Sequence, residues 1–199
     1  MQLDRGEKGF SFSKEGPLDM RMDPTAELSA TEVVNEWSEE ELGSLFRDLG
    51  EEPRWKRAAK AIIDARRKHM IKTTTQLAEI IKDALQTPLK GKWHPATLIF
   101  QALRLFVNKE LEAVTQGVAN AIKRLAPGGR IGVMSFHSLE DRIVKNIFRE
   151  AAFSPKKPKM GTPPALLRLL TKKPLSPDFS EVKANPRARS AKLRFAQRA

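Results

Sequence analysis

Apolar residues recur three and four positions apart through most of the chain, and short β-branched runs interrupt that rhythm near its C-terminal end. Spacing of this kind lines one face of an α-helix. Leu42, Leu45, Phe46 and Leu49 follow Ser38-x-x-Glu41, a capping box, and Gly50 ends the run. Trp55, Ala58, Ala59, Ile62 and Ile63 predict a helix over Arg54–Arg67, and Leu77, Ile80, Ile81 and Leu85 predict another capped at Thr74. Together these segments predict an all-helical subdomain over 26–90, with Trp93-His94-Pro95 as its exit. Leu98, Ala102, Leu105, Phe106, Leu111, Val114, Val118, Ile122 and Leu125 then form one apolar stripe, which predicts a single long helix from Thr97 to Leu125.

Pro127-Gly128-Gly129 stops that helix, since Pro has no N–H to donate and Gly tolerates positive φ. Arg130–Phe136 reads as a short buried strand, and Leu139–Phe153 as a helix carrying Ile143, Val144, Ile147 and Phe148. Further strands are expected near Leu166–Thr171 and at Ala191–Ala196. Helix followed by strand is the order of a doubly wound α/β fold, in which ligands bind beyond the carboxyl ends of the strands. His137, Ser138, Glu140, Asp141 and Arg142 crowd such a point. Capping accounts for three of them. Ser138-x-x-Asp141 fits a capping box, the acids suit the helix dipole, and Asp141 with Lys145 makes an i, i+4 pair. His137 and Arg142 are left without a capping role.

Charge sharpens this picture. The 199 residues carry a net +12, and Ser154 to Ala199 holds twelve Lys and Arg against Asp178 and Glu181 alone. A concentrated basic region is the footprint of a polyanion such as RNA, though a solvated tail would look similar, and the basic, Pro-rich stretch 154–165 suits the latter. A second basic surface lies on the Arg54–Arg67 helix, with Lys56, Arg57 and Lys60 opposite its apolar face; solvation and phosphate contact explain it equally. There is no Cys, and His69, His94 and His137 lack ligand spacing, which argues against disulfides and metal sites. No apolar run approaches the roughly 18 residues of a membrane span, and the N-terminus shows no secretory h-region, so a cytoplasmic protein is expected. Gly6–Pro24 is rich in Gly and Pro and reads as an ordered functional loop, with Phe10 and Phe12 as core anchors or base-stacking surfaces.

Four segments carry a resemblance: Arg5–Pro24 (RGEKGFSFSKEGPLDMRMDP), His94–Leu111 (HPATLIFQALRLFVNKEL), Ser135–Lys145 (SFHSLEDRIVK) and Asn185–Arg194 (NPRARSAKLR). In this order they resemble the bacterial 16S ribosomal RNA cytosine-N4 methyltransferase family. The resemblance implies the C-terminal portion of a Rossmann-like class I methyltransferase sheet, made by 1–25 and 91–199, with 26–90 as an inserted substrate-recognition subdomain. It implies S-adenosylmethionine as cofactor and small-subunit ribosomal RNA as substrate. By matching positions, Gln2 would contact the cofactor. Asp19, His137 and Glu140 would serve catalysis, and Arg21, Arg142, Arg187, Arg189 and Arg194 would contact RNA.

Two departures qualify that match. Leu98 stands where family members commonly have Arg after His-Pro-Ala-Thr. More importantly, family members carry a Gly-Gly-His cofactor turn, a ribose-binding acid and an Asp-Leu-Gly-Val-Ser-Ser segment that this sequence lacks. The only Gly-Gly pair, Gly128-Gly129, precedes a strand instead of following one. The expectation is therefore a methyltransferase part that needs an N-terminal half from elsewhere. The alternative is a non-catalytic RNA-binding remnant that uses the helical subdomain and the basic tail. Thr162-Pro163-Pro164-Ala165 lacks the flanking residues of other amino-methyltransferase loops and is set aside.

Overall fold

A computed structural model describes residues 8–86, 94–153 and 164–199. Gln2, Trp93, most of the basic stretch 154–165 and Thr162-Pro163 lie outside the described residues. The chain is mixed α/β and divides into two compact units, Met1–Glu110 and Leu111–Ala199.

The first unit is helical: α1 (Ala30–Glu36), α2 (Glu39–Asp48), α3 (Trp55–Arg66), α4 (Thr74–Leu85) and α5 (Thr97–Val107). Three of these start on reciprocal capping boxes, Ser29 with Glu32, Ser38 with Glu41 and Thr73 with Gln76. Each box satisfies N–H groups that a helix start otherwise leaves unpaired. Thr73, not Thr74, is thus the cap of α4. The core gathers Val33, Val34, Leu42, Phe46, Ile62, Leu77, Ile81, Ile99 and Leu103. Gly50 is required where α2 ends, because a Cβ there would lie 2.6 Å from Phe46 O and 2.9 Å from Leu98 O.

The loop 8–28 belongs to this core. Phe10, Leu18 and Met20 are buried in it, and Phe12 packs edge-on against Phe100. Backbone hydrogen bonds from Leu18 N to Lys72 O and from Met20 N to Lys8 O fix its path. Both phenylalanines are therefore core anchors.

The single helix expected over Thr97–Leu125 is two helices. It breaks at Asn108 and Lys109, where Lys109 takes φ 48°, and resumes as α6 (Glu110–Arg124). Asn108 Nδ2 donates to Met20 O (2.8 Å) and Arg104 O (2.9 Å), while its Oδ1 accepts from Met22 N (2.7 Å). Such bonds offer the backbone an alternative to continued helix. Arg104 and Glu110 span the break with a two-point ion pair at 2.8 and 3.2 Å.

The second unit holds most of α6, then β1 (Arg130–Ser135), α7 (Ser138–Ala151), β2 (Leu167–Leu169), α8 (Phe179–Ala184), a 3₁₀ turn at Pro186–Ser190 and β3 (Lys192–Arg198). The sheet order is β1-β3-β2, and both pairings are antiparallel, with Arg130 opposite Gln197 and Ser135 opposite Lys192. Among the described residues there is thus no parallel pair of the kind a doubly wound order leads one to expect. Val118, Ile122, Val144, Phe148, Leu167 and Ala196 form the core. β1 is only half buried: Ile131 and Val133 pack inward, while Met134 and Phe136 are 55% and 51% exposed. Gly128-Gly129 closes the sheet end, Gly128 at φ 77° donating to Arg198 O and Gly129 O accepting from Arg198 N.

Candidate functional site

Two polar clusters hold the residues singled out in the sequence, one in each unit.

In the first unit, Asp19 and Arg21 flank Met20, which is fully buried and held at φ 62°. A left-handed backbone on a non-glycine residue costs energy and persists only where its surroundings over-determine it. Here the surroundings do: Met20 N–H donates to Lys8 O, and its carbonyl accepts from Asn108 Nδ2. The turn brings the two charged side chains together. Arg21 Nε and Nη2 donate to Asp19 Oδ1 and Oδ2, each at 2.8 Å, and Nη1 donates to Ala26 O at 2.7 Å. Hydrogen bonding from Arg21 holds the Asp19 carboxyl below its usual range against the opposing effect of burial. Asp19 is a fixed, ionised acceptor, not a group poised to take and release protons near neutral pH.

In the second unit the junction after β1 is built differently from the expected capping box. His137, not Ser138, caps α7: its Nδ1 accepts from Glu140 N at 3.4 Å, and Glu140 Oε2 accepts from Phe136 N at 2.8 Å. The cap has moved one residue upstream, with imidazole in place of hydroxyl, and the Glu140 carboxylate reaches back to the residue before the cap. His137 Nε2 is buried and lies 3.3 Å from Glu140 Oε1, and among the described residues it has no hydrogen-bond partner. Burial pushes the Glu140 carboxyl up, but the His137 ring and the Phe136 amide outweigh it, and its net shift is downward.

Asp141 and Arg194 are both 7% exposed and form a bidentate pair, Nε to Oδ1 at 2.7 Å and Nη2 to Oδ2 at 2.9 Å, with Lys192 Nζ 3.7 Å away. Asp141 therefore pairs across to β3, not along the helix with Lys145 as its spacing suggests. The Arg194 guanidinium is committed to Asp141 inside the fold. Arg142 is exposed on α7. Arg187 and Arg189 are exposed too, on the 3₁₀ turn that precedes β3. The structure thus brings Asp19 to Arg21, His137 to Glu140 and Asp141 to Arg194, while Gln2 lies outside the described residues.

The basic helix α3 also divides. Arg54 donates to Glu52 and to Leu85 O, and Arg66 to Val34 O, so both are structural. Lys56, Arg57, Lys60 and Lys68 are exposed, and Trp55 lies beneath Arg47 and Lys56 at 5.3 and 5.2 Å.

Among the described residues, no group of three or more His, Asp and Glu could hold a metal, and no helix is long and apolar enough to cross a membrane. Nor do the described residues form a nucleotide cradle. The Gly128 and Gly129 amides donate to Arg198 O and Ala126 O, and their carbonyls accept from Gln197 Nε2 and Arg198 N at the sheet end.

Comparison with known proteins gives these clusters a context. A sequence model described as the MraW methylase family matches residues 1–199. The chain is 51% identical over 204 residues to the ribosomal RNA small subunit methyltransferase H of Protochlamydia amoebophila, covering 99% of the chain and 64% of that protein. Against the protein of the same name from Halothermothrix orenii the figures are 50% over 209 residues, 99% and 65%. For Thermomicrobium roseum they are 48% over 203 residues, 99% and 62%. The chain thus spans 62 to 65% of the length of these curated relatives.

Proposed function

The chain belongs to the MraW methylase family, and we propose that it supplies the RNA-handling and base-orienting part of an S-adenosylmethionine-dependent methyltransferase acting on a cytosine N4 of small-subunit 16S ribosomal RNA. The observation that carries this reading is the family match over the full 199 residues, with about half of the positions identical to proteins named for that class of reaction. The finer architecture proposed with it is the C-terminal portion of a Rossmann-like sheet, with 26–90 as the inserted recognition subdomain.

The described residues do not fit a cofactor cradle, so no step is assigned through the cofactor. Gln2 is retained as a proposed cofactor contact. Calorimetry on the 199-residue chain by itself is expected to show no micromolar binding of S-adenosylmethionine.

What the chain's own residues can do follows from their chemistry. The exocyclic amine of cytosine is a poor nucleophile, because its lone pair is delocalised into the ring. Positioning and acceptors that orient the N–H then matter more than a strong base. Asp19 in the first unit and Glu140 in the second are each held ionised, and each by itself suits such an acceptor role. His137 Nε2, buried and without a hydrogen-bond partner among the described residues, suits a hydrogen bond to a polar atom of the base. The base must leave its stack to reach such groups. Exposed Arg142, Arg187 and Arg189 would hold the surrounding backbone.

The test combines the chain with the part of the Protochlamydia protein that the match does not reach, and supplies labelled S-adenosylmethionine and small-subunit RNA. Label in the RNA supports the reading. A combination that folds yet transfers nothing, while the whole Protochlamydia protein does, leaves the RNA-binding remnant as the better one.

A further inference from the structure

An open cavity of about 340 Å³ lies in the second unit, away from the His137–Glu140 cluster, with Phe148 and Leu169 among its apolar lining and Lys145, Arg149, Lys172 and Arg194 around it. Among the described residues, no acidic side chain lines it. We infer that this cavity is a binding site for one phosphodiester unit of an RNA strand, with phosphate on the cationic rim and the sugar or base against Phe148 and Leu169. This deepens the RNA-handling role proposed above and rests on it.

Three features carry the inference. First, Lys145 and Arg149 stand one helical turn apart on α7, an i, i+4 arrangement in which like charges repel, and Lys172 joins them from the segment after β2. An anion seated among them relieves that repulsion. Second, the wall behind them is already neutralised. Asp141 is engaged chiefly by Arg194 and approached by Lys192, and Lys145 is the weakest of its attractions. Neither Arg149 nor Lys172 has an ion-pair partner among the described residues, and both are exposed. Third, the frame is rigid. Thr171 Oγ1 accepts from Phe195 N at 2.9 Å and Thr171 N donates to Phe195 O at 3.2 Å, which fixes the chain entering Lys172. Phe148 is 2% exposed and anchored in the core. A cationic rim over a fixed apolar floor matches the two-part chemistry of a nucleotide better than that of a bare anion.

The test measures binding of the full chain to a fluorescein-labelled small-subunit RNA fragment as salt is raised. The double variant Arg149→Gln/Lys172→Gln changes exposed side chains only. It is compared with Lys123→Gln/Lys173→Gln, which removes the same charge from exposed positions off the cavity. The cavity variant should lose roughly tenfold in affinity and lower the salt slope by about one to two, while the control loses little. Equal losses in the two variants would overturn the site and leave only diffuse attraction. Displacement of the RNA by millimolar inorganic phosphate at constant ionic strength would mark a free-anion site and overturn it as well. A wild-type chain that binds no RNA at all would sink the RNA-handling reading itself, a different result from wild-type binding to which both variants are indifferent.

Discussion

Arg194 and Asp141 lock the last strand to the helix that follows β1, through two parallel hydrogen bonds of 2.7 and 2.9 Å buried from solvent. Removing one partner strands the other charge in the interior. Arg194→Ala should therefore destabilise the chain by about 3 kcal/mol, read by urea unfolding. The paired change Asp141→Leu/Arg194→Met should cost less than either single change, because no charge is left behind. A single variant as stable as wild type would show that the pair holds nothing together.

The same pair sets an acid dependence. Hydrogen bonding from Arg194 lowers the Asp141 pKa below its ordinary value of 3.8. A depressed carboxylate contributes stability above its unfolded pKa, and that stability is lost as pH falls through the folded one. Wild-type stability should thus drop below about pH 4 more steeply than that of Asp141→Asn, which lacks the term at every pH. Parallel pH profiles would contradict this.

Asn108→Ala should loosen the Met20 turn. It removes partners from Met22 N and Met20 O, at a cost of about 2 kcal/mol. Trypsin cleavage after Arg21 should speed up in native buffer. Unchanged cleavage would mean that Lys8 and the core hold the turn without Asn108.

How far the sequence revealed all this depends on whether the deciding contact was local. The caps of α1, α2 and α4 are short-range hydrogen bonds, and Ser38-x-x-Glu41 showed plainly. The break between α5 and α6 was hidden, because Phe106, Leu111 and Val114 carry the apolar stripe across it. The contacts that enforce it come from Met20 and Met22, far away in sequence. The His137 cap was masked by a neighbouring serine of better capping propensity. The final strand was expected at Ala191–Ala196, but its place in the middle of the sheet and the burial of Arg194 depend on partners distant in sequence and did not show. Deleting everything after Ser154 would therefore remove a structural strand together with the charge. The Lys145–Arg149–Lys172 cavity left only a faint signal, two cations four residues apart on one helix. The site assignments came from resemblance, since spacing alone could not separate a capping acid from a catalytic one.

β1 pairs with β3 along one edge, and its other edge has no strand partner among the described residues, while Met134 and Phe136 are exposed. Open apolar edges invite pairing. The uncovered part of a relative, added in trans, should slow amide hydrogen exchange in Ile131–Met134 and raise solubility. Exchange unchanged on addition would place any partner elsewhere.

Asp19→Asn should slow methyl transfer in the combined system about 100-fold while leaving RNA affinity as it was, because an amide orients an amine less well than a carboxylate. Since Arg21 holds the Asp19 carboxyl below its usual range, the wild-type rate should show no Asp19 titration near neutral pH. A neutral-pH inflection that disappears in Asp19→Asn would instead make Asp19 a proton acceptor.

The most direct measurement is nucleoside mass spectrometry on small-subunit RNA treated with the chain, the complementary part of a relative and S-adenosylmethionine. N4-methylcytidine, formed by the combination and absent when either part is omitted, is the expected result. Methyl groups found only on another nucleoside or at another cytosine position would contradict cytosine N4 as the target. RNA left unmodified by a folded combination would contradict the chain's place in the reaction.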